Sequence, residues 1–578
     1  MLGVWAALFG LQPAYAEDDD ADAEAKEPAV SLSFTDDLEI RLQNFDPSPL
    51  VRVGGPPPKF IEEVNRFTGR AQVGAWGFNV QVDQVAFIGL PYAVDGVVVR
   101  EPPDLLLNCG LERCVQNPFG DYVYVNPEKM AVSYATDDVS VTVGDLYAAF
   151  GYGLALNVNR NVDIDIDTSI QGARVVARPG DWEFTGLAGT LNRQQVFADN
   201  PNFATLQGDL RHLVAGARAV RHDLGPASIG AHAVAVDFTQ TYGVAGALEE
   251  AGSSVDAAMA GGTVELYGVA GMDWQFEGDI AAFPLDEQGR NILFTDGVPE
   301  MGHSLYGSTQ FLIGQTFWQI DGKKYKNFQR MNRPLAGEQY QIIVPPTLEY
   351  ERATNFNTAA AVLSDDIYGG RVRMDVALGS LTPYLSAAAF RDSDLENAAQ
   401  HAPTPETIVM GQAGLQVLTD ELTVLTNFLG RVEKRDEDFG QDVQLYGDVD
   451  VKFPLIGQSH ADVILFGQHF ITGPEATVFG DDVVPSWDEL SLSATVAPTH
   501  DFGITGYFDY TTNPFANNGG NLGNPNLYGA AEAYFKPTSA WTIRAFHGGY
   551  AAGIRCSGGQ CRAVPAFTGT RLAVTGSF

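Results

Sequence analysis

From Arg66 to the C-terminus, apolar and polar side chains alternate with a period of two, segment after segment, with no shift in composition that would mark a second domain. A period of two belongs to β-strands, because successive side chains leave a strand on opposite faces. Phe78, Val80 and Val82 oppose Asn79, Gln81 and Asp83. Val139, Val141 and Val143 oppose Ser140 and Thr142, and Ala173, Val175 and Ala177 oppose Arg174 and Arg178. The pattern returns at Val372, Met374, Val376 and Leu378 against Arg371, Arg373 and Asp375. It returns again at Val443, Leu445, Val449 and Val451 against Gln444, Tyr446, Asp448, Asp450 and Lys452.

Such alternation fits two opposite arrangements. A soluble sandwich buries the apolar face, whereas a membrane barrel turns the apolar face to lipid and the charged face to its lumen. The ends of the chain favour the barrel. Leu2 to Leu11 is an apolar run, and Ala14-Tyr15-Ala16 fits the small-residue cleavage pattern of an export signal. No Lys or Arg precedes that run, so the natural start is expected a few codons upstream. The last segment, FTGTRLAVTGSF, alternates up to the terminal Phe578. A chain closing on a strand with an aromatic last residue resembles the sorting signal of bacterial outer-membrane barrels.

The expected fold is therefore all-β, a large antiparallel transmembrane barrel over 31–578. It follows a signal peptide (1–16) and an acidic leader (17–30) that is too polar to bury anything. A spanning strand takes roughly 9–11 residues, and alternating segments recur every 20–25 residues or so, which gives roughly 20–24 strands, an even number being the rule. Long extracellular loops are expected at Asn192–Leu210, Thr239–Gly262, Glu277–Gly302, Gly322–Tyr350, Arg391–Thr407 and Thr511–Asn526, all rich in Gly, Pro, Asn and Asp. Arg178-Pro179-Gly180-Asp181 reads as a short periplasmic turn. The stretch before the first persistent strand is too short and proline-rich for a globular plug, so any plug must be built from loops folded inward.

Net charge is −37, from 72 acids against 35 bases. That balance excludes nucleic acid as a partner, because binding it requires a basic face that releases counterions. The four cysteines form two close pairs, Cys109 with Cys114 and Cys556 with Cys561. In an oxidising compartment each pair is expected to close a tight loop disulfide. The rival, a metal, finds no nearby histidine and no CxxC spacing.

Residues 143–178 carry the most specific signal. Gly144-Asp145, then Phe150-Gly151-Tyr152-Gly153-Leu154, then Asp167-Thr168-Ser169 with Gly172-Ala173-Arg174 follow one another. This order resembles a family of uncharacterised bacterial outer-membrane barrels, a domain of unknown function. The resemblance implies a barrel and supplies no activity. Gly151 and Gly153 open backbone conformations closed to other residues, so the segment can turn inward and cross the lumen. Asp163, Asp165 and Asp167 share one strand face. Three readings are open for them: an acid row solvated in a wet pore, pairing with Arg174 or Arg178 across the lumen, or a bound cation. Their pattern lacks the mid-loop glycine and distal glutamate of a calcium loop.

Other constellations are weaker. His212, His222 and His232 recur every ten residues, which strand length alone explains, so no metal ligand is assigned. No Gly-x-Ser-x-Gly elbow supports a hydrolase, and no catalytic residue or cofactor is expected. Asn517 to Asn526 is glycine-rich without a phosphate-loop lysine and reads as a loop tip. Candidate lumen-facing residues are Asp163, Asp165, Asp167, Arg174, Arg178, Arg371, Arg373 and Asp375. The expected role is a passive channel for small solutes with a mild cation preference. The alternatives are a sealed barrel serving as anchor, assembly or secretion partner, and an enzyme on the barrel wall. Expected partners are outer-membrane lipid, the barrel-assembly machinery and a periplasmic or surface protein.

Overall fold

The computed structural model describes residues 30–44, 59–88, 114–116, 122–161, 166–193, 212–238, 255–282, 301–326, 367–392, 407–419, 421–434, 441–456, 459–471, 478–479, 482–483, 486–512, 526–550, 553–557, 560–564 and 567–578. Among them there is no α-helix. Twenty-four strands form one closed antiparallel barrel. The Val30–Asn44 strand pairs on one side with Lys59–Val73 and on the other with the last strand, Phe567–Ser577. That last seam runs from Thr35 opposite Ser577 to Gln43 opposite Gly569. Closure leaves no row of unpaired backbone groups at an edge, which a bilayer would not tolerate.

The partition of side chains settles which way the alternation faces. Phe78 is 45 % exposed while its strand neighbour Asp83 is 0 % exposed. Val143, Leu305, Leu385, Phe428, Leu445 and Ile504 are likewise exposed on the outside. Gln81, Asp321, Arg371, Gln412, Gln444 and Gln468 are buried on the inside. A water-soluble sandwich would have the reverse. Inside, charges are paired: both guanidinium nitrogens used by Arg66 reach Asp83 at 3.1 Å, and Arg371 Nε donates to Asp321 Oδ2 at 3.0 Å. Exposed aromatics gather at the short-turn end, where Trp76 packs on Tyr134 at 4.9 Å and Trp541 meets Phe578 edge-on at 5.1 Å. Such a ring suits the interface, which takes an apolar body with a polar rim. An apolar outside, a charged inside and a closed antiparallel wall make this chain an outer-membrane β-barrel.

Short turns join the strands at one end, among them Arg178–Asp181 between Ala177 and Trp182. By the usual asymmetry of such barrels this is the periplasmic end. The first strand begins at Val30, one residue inside the stretch expected as leader; residues 1–16 lie outside the described residues. Three expected loops prove shorter than their sequence suggests, because Val255–Gly262, Glu277–Ala282 and Gly322–Lys326 belong to strands. The reason is local. Ala257, Ala258, Ala260, Gly261 and Gly262 carry too little side chain to show an alternation, and Glu277 and Asp279 are inward acids that mimic loop polarity.

Of the expected disulfides, Cys109 lies outside the described residues. Cys556 and Cys561 are register partners in a small hairpin, Gly553–Ser557 with Gln560–Val564.

Candidate functional site

One strand breaks the pattern of the wall. Val139–Leu146 stops after 8 residues, between neighbours of 14 and 12. The chain then leaves the wall and makes a small hairpin inside the barrel. Ala148–Phe150 pairs antiparallel with Leu156–Val158, Ala148 opposite Val158 and Phe150 opposite Leu156. Its turn has Gly151 at φ 61° and Gly153 at φ 94°, both in the left-handed region that glycine enters without strain. Gly153 N–H donates to the Phe150 carbonyl at 3.3 Å.

The hairpin is held by three sets of contacts. The first is apolar. Phe150, Leu154, Leu156 and Val158 are almost fully buried and form one core with inward residues of the wall, including Ile170, Leu187, Leu191, Val214, Val234 and Met259. Each such side chain removed from water contributes roughly 1.5–3 kcal/mol to holding the hairpin in place. Facing positions are small where it presses closest: a Cβ at Gly216 would lie 2.7 Å from the Phe150 ring.

The second set ties the base. Lys129 Nζ donates to Asp167 Oδ1, to the Asp167 carbonyl at 3.2 Å and to Tyr147 Oη at 3.2 Å. Tyr147 Oη donates to the same Asp167 oxygen at 2.6 Å. Arg160 lies 3.6 Å from the other. Tyr147 enters the hairpin and Arg160 leaves it, so one buried carboxylate clasps both ends. Arg174 joins through its Nη1, which donates to the Tyr147 carbonyl at 2.7 Å. Asp167 and Arg174 thus do not pair: of the three readings open for the acid row, Asp167 is neither solvated nor paired with Arg174 or Arg178, and the cations beside it are Lys129 and Arg160. Arg178 sits at the periplasmic turn and pairs with Glu183 at 3.1 Å. Asp163 and Asp165 lie outside the described residues.

The third set seats the tip. Glu277 Oε2 accepts the Tyr152 N–H. Tyr152 Oη donates to Glu265 Oε1 at 2.9 Å, and its ring packs on Tyr306 at 5.9 Å. Below the tip lie His232, Glu277 and Asp279, all buried. His232 Nε2 is 2.6 Å from Asp279 Oδ1 and 3.7 Å from Glu277 Oε1. Ser304 Oγ donates to Asp279 Oδ2 at 2.9 Å. His212 and His222 do not join them; they flank the two ends of the Leu213–Arg221 strand. Sequence spacing linked three histidines, whereas the fold links one of them to two acids. The missed signal was Glu277 and Asp279 at a spacing of two on one strand face.

The Gly151 contact gives a direct check. A methyl at this position would fall 1.7 Å from Glu277 Oε1, on a backbone of positive φ. Gly151→Ala should cost about 1–3 kcal/mol of local strain. The expected result is cleavage by chymotrypsin at Phe150 or Tyr152 about tenfold faster in the folded barrel, since cleavage follows the population of the opened segment. Unchanged cleavage would contradict the seating of the tip on Glu277.

Elsewhere on the inner face, Arg373 and Asp375 pair at 2.9 Å and Arg373 lies over the Tyr384 ring at 4.4 Å. They line a cavity of about 490 Å³ with Gln412, Asn427 and Asp448.

Residues 120–210, which contain the inner hairpin and its base, match a family described as "Family of unknown function (DUF6029)". No curated protein matches the chain in sequence. Among solved structures, the chain is similar to the copper transporter OprC at 10 % identity and TM-score 0.43, over 96 % of this chain and 81 % of that one. It is similar to a mutant of the ferric enterobactin receptor PfeA from Pseudomonas aeruginosa, in complex with enterobactin, at 9 % identity and TM-score 0.44, over 96 % and 82 %. It is similar to the translocation pore of the P pilus usher PapC at 8 % identity and TM-score 0.41, over 95 % and 99 %.

Proposed function

We propose that this barrel is a passive channel for small polar solutes, with the inner hairpin narrowing one side of the lumen and a polar path running down the other. The observation that carries the reading is the uneven lining of the inner wall. Buried apolar residues facing inward cluster on the strands from Leu146 around to Leu429, where the hairpin packs, with polar groups such as Asp321, Arg371 and Gln412 set among them. The remaining strands point polar groups inward: Gln444 with Gln468 at 3.0 Å, Thr495 with Thr505 at 2.8 Å, Glu532 with Arg571 at 3.5 Å. The cavity beside Arg373 and Asp448 has the same character. Asp448 and Asp450 share the inner face of one strand, and such acids at a narrow point favour cations over anions.

Liposome swelling tests permeation. Vesicles carrying the folded protein should swell in small neutral sugars and progressively less as the sugar grows. Vesicles that never swell would remove the channel reading. They would favour the second one, a sealed barrel acting as anchor or secretion partner, which the apolar core inside the lumen supports. The channel reading assigns no catalytic residue and no cofactor, and its partners are lipid and the barrel-assembly machinery.

An outer-membrane location keeps the Cys556–Cys561 hairpin out of the reducing cytosol. Directly opposed residues of an antiparallel pair have Cα atoms roughly 4.5–5.5 Å apart, within the reach of a disulfide. Mass spectrometry of non-reduced digests should find Cys556 linked to Cys561; two free thiols would contradict the pairing.

A further inference from the structure

We infer that His232, Glu277 and Asp279 form a binding site for one divalent transition-metal ion of the zinc type, set in the lumen wall directly beneath the tip of the inner hairpin. The inference is independent of whether the lumen conducts.

The site is built by the register of four adjacent strands. His232 stands opposite Gly261, Gly261 opposite Asp279, and Asp279 opposite Ser304. His232 and Asp279 are therefore separated by a whole strand. They meet only because the residue between them is glycine: a Cβ at Gly261 would lie 1.9 Å from Asp279 Oδ1. Glu277 arrives from the same strand as Asp279, two residues earlier and on the same face.

Three observations point from these groups to a cation. First, the donor atoms lie within 4.8 Å of one another. Ligands held at about 2.0–2.1 Å from a tetrahedral zinc stand roughly 3.3 Å apart, and the observed separations of 2.6 and 3.7 Å bracket that value. Second, Glu277 is 2 % exposed, and its Oε1, the oxygen turned to His232, has no hydrogen-bond partner. A buried carboxylate oxygen without a partner is costly, and buried charges are either paired or coordinate metals. Arg218, the cross-strand neighbour of His232, is engaged with Glu183 at 3.6 Å. Third, the outer oxygens are already fixed. Ser304 holds Asp279 Oδ2 and the Tyr152 N–H holds Glu277 Oε2, which is how second-shell donors orient metal-binding carboxylates.

Ligand type selects the metal. An imidazole with two carboxylates suits zinc and its neighbours, whereas calcium takes six to eight oxygens. On binding, His232 presents the Nε2 lone pair with its ring proton on Nδ1, and the hydrogen bond to Asp279 is replaced by two bonds to the ion. Because Glu277 also accepts the Tyr152 N–H, the ion would lock the hairpin tip to the wall.

The test uses the full chain without a histidine tag, folded in detergent and stripped with chelator. Equilibrium dialysis against Zn²⁺ should show one tightly held ion per chain. His232→Gln and Glu277→Gln should each weaken binding by about tenfold or more, with heat-modifiable migration confirming that each variant is folded. X-ray absorption at the zinc edge of the wild-type protein should show one imidazole nitrogen and carboxylate oxygens at about 2.0–2.2 Å. Two results would overturn the inference: a folded wild type that retains no zinc, or a double variant that binds it as tightly as wild type. If the variants do not fold, a wild-type zinc shell without a histidine nitrogen does the same.

Discussion

Replacing 148–158 with a short Gly-Ser linker is expected to raise the single-channel conductance, on the order of twofold, because a two-stranded insert is removed from a lumen whose width is set by the wall alone. The wall does not depend on the insert. Its closure runs through Val30–Asn44 and Phe567–Ser577, on a seam that the hairpin does not make. The deleted protein should therefore keep heat-modifiable migration. It would leave Ile170, Leu187, Leu191 and Val214 facing lumen water, and these are the residues that the hairpin now covers. Equal conductance in the two proteins would mean that the hairpin does not obstruct the path.

Asp167→Ala is the second large effect. Asp167 and Lys129 are each 3 % exposed, so the substitution strands a buried ammonium together with the Tyr147 hydroxyl. Removing one partner of a buried pair costs about 3–5 kcal/mol. The loss falls on the hairpin base rather than on the wall, because the pair joins the Tyr122–Ala135 strand to the strand that follows the hairpin. Two readouts separate base from wall. Proteolysis within 147–160 should accelerate strongly, while the temperature of heat modification changes little. Lys129→Met combined with Asp167→Leu should recover much of the protection, since an apolar pair of similar volume replaces a buried ion pair at little net cost. Failure of the double variant to recover would indicate that Asp167 acts mainly through Tyr147 and Arg160.

The wall was legible in the sequence because its signal is local. Alternation at Phe78–Asp83 or Val372–Asp375 needs only neighbouring residues, and strand period does the rest. The inward turn was legible for the same reason, since Gly151 and Gly153 announce a backbone that other residues avoid. What the alternation could not supply is register. Lys129 meets Asp167 across 38 positions, and nothing in either segment names the other. Arg174 and Arg178 were the nearer choices in sequence, yet one reaches a carbonyl and the other a turn. His232 and Asp279 are further still from inference, because their meeting depends on a glycine in a third strand. That strand was itself half concealed, its inner face made small where the hairpin tip and the metal-type cluster need room.

The proposed channel is tested most directly by the conductance of the purified, refolded wild-type protein in a planar bilayer, with a salt gradient to give the reversal potential. A passive, acid-lined channel should give steady openings and a reversal potential of the sign that marks cation preference, reduced when Asp448 and Asp450 are both changed to Asn. A barrel that migrates as folded and passes no current would contradict it.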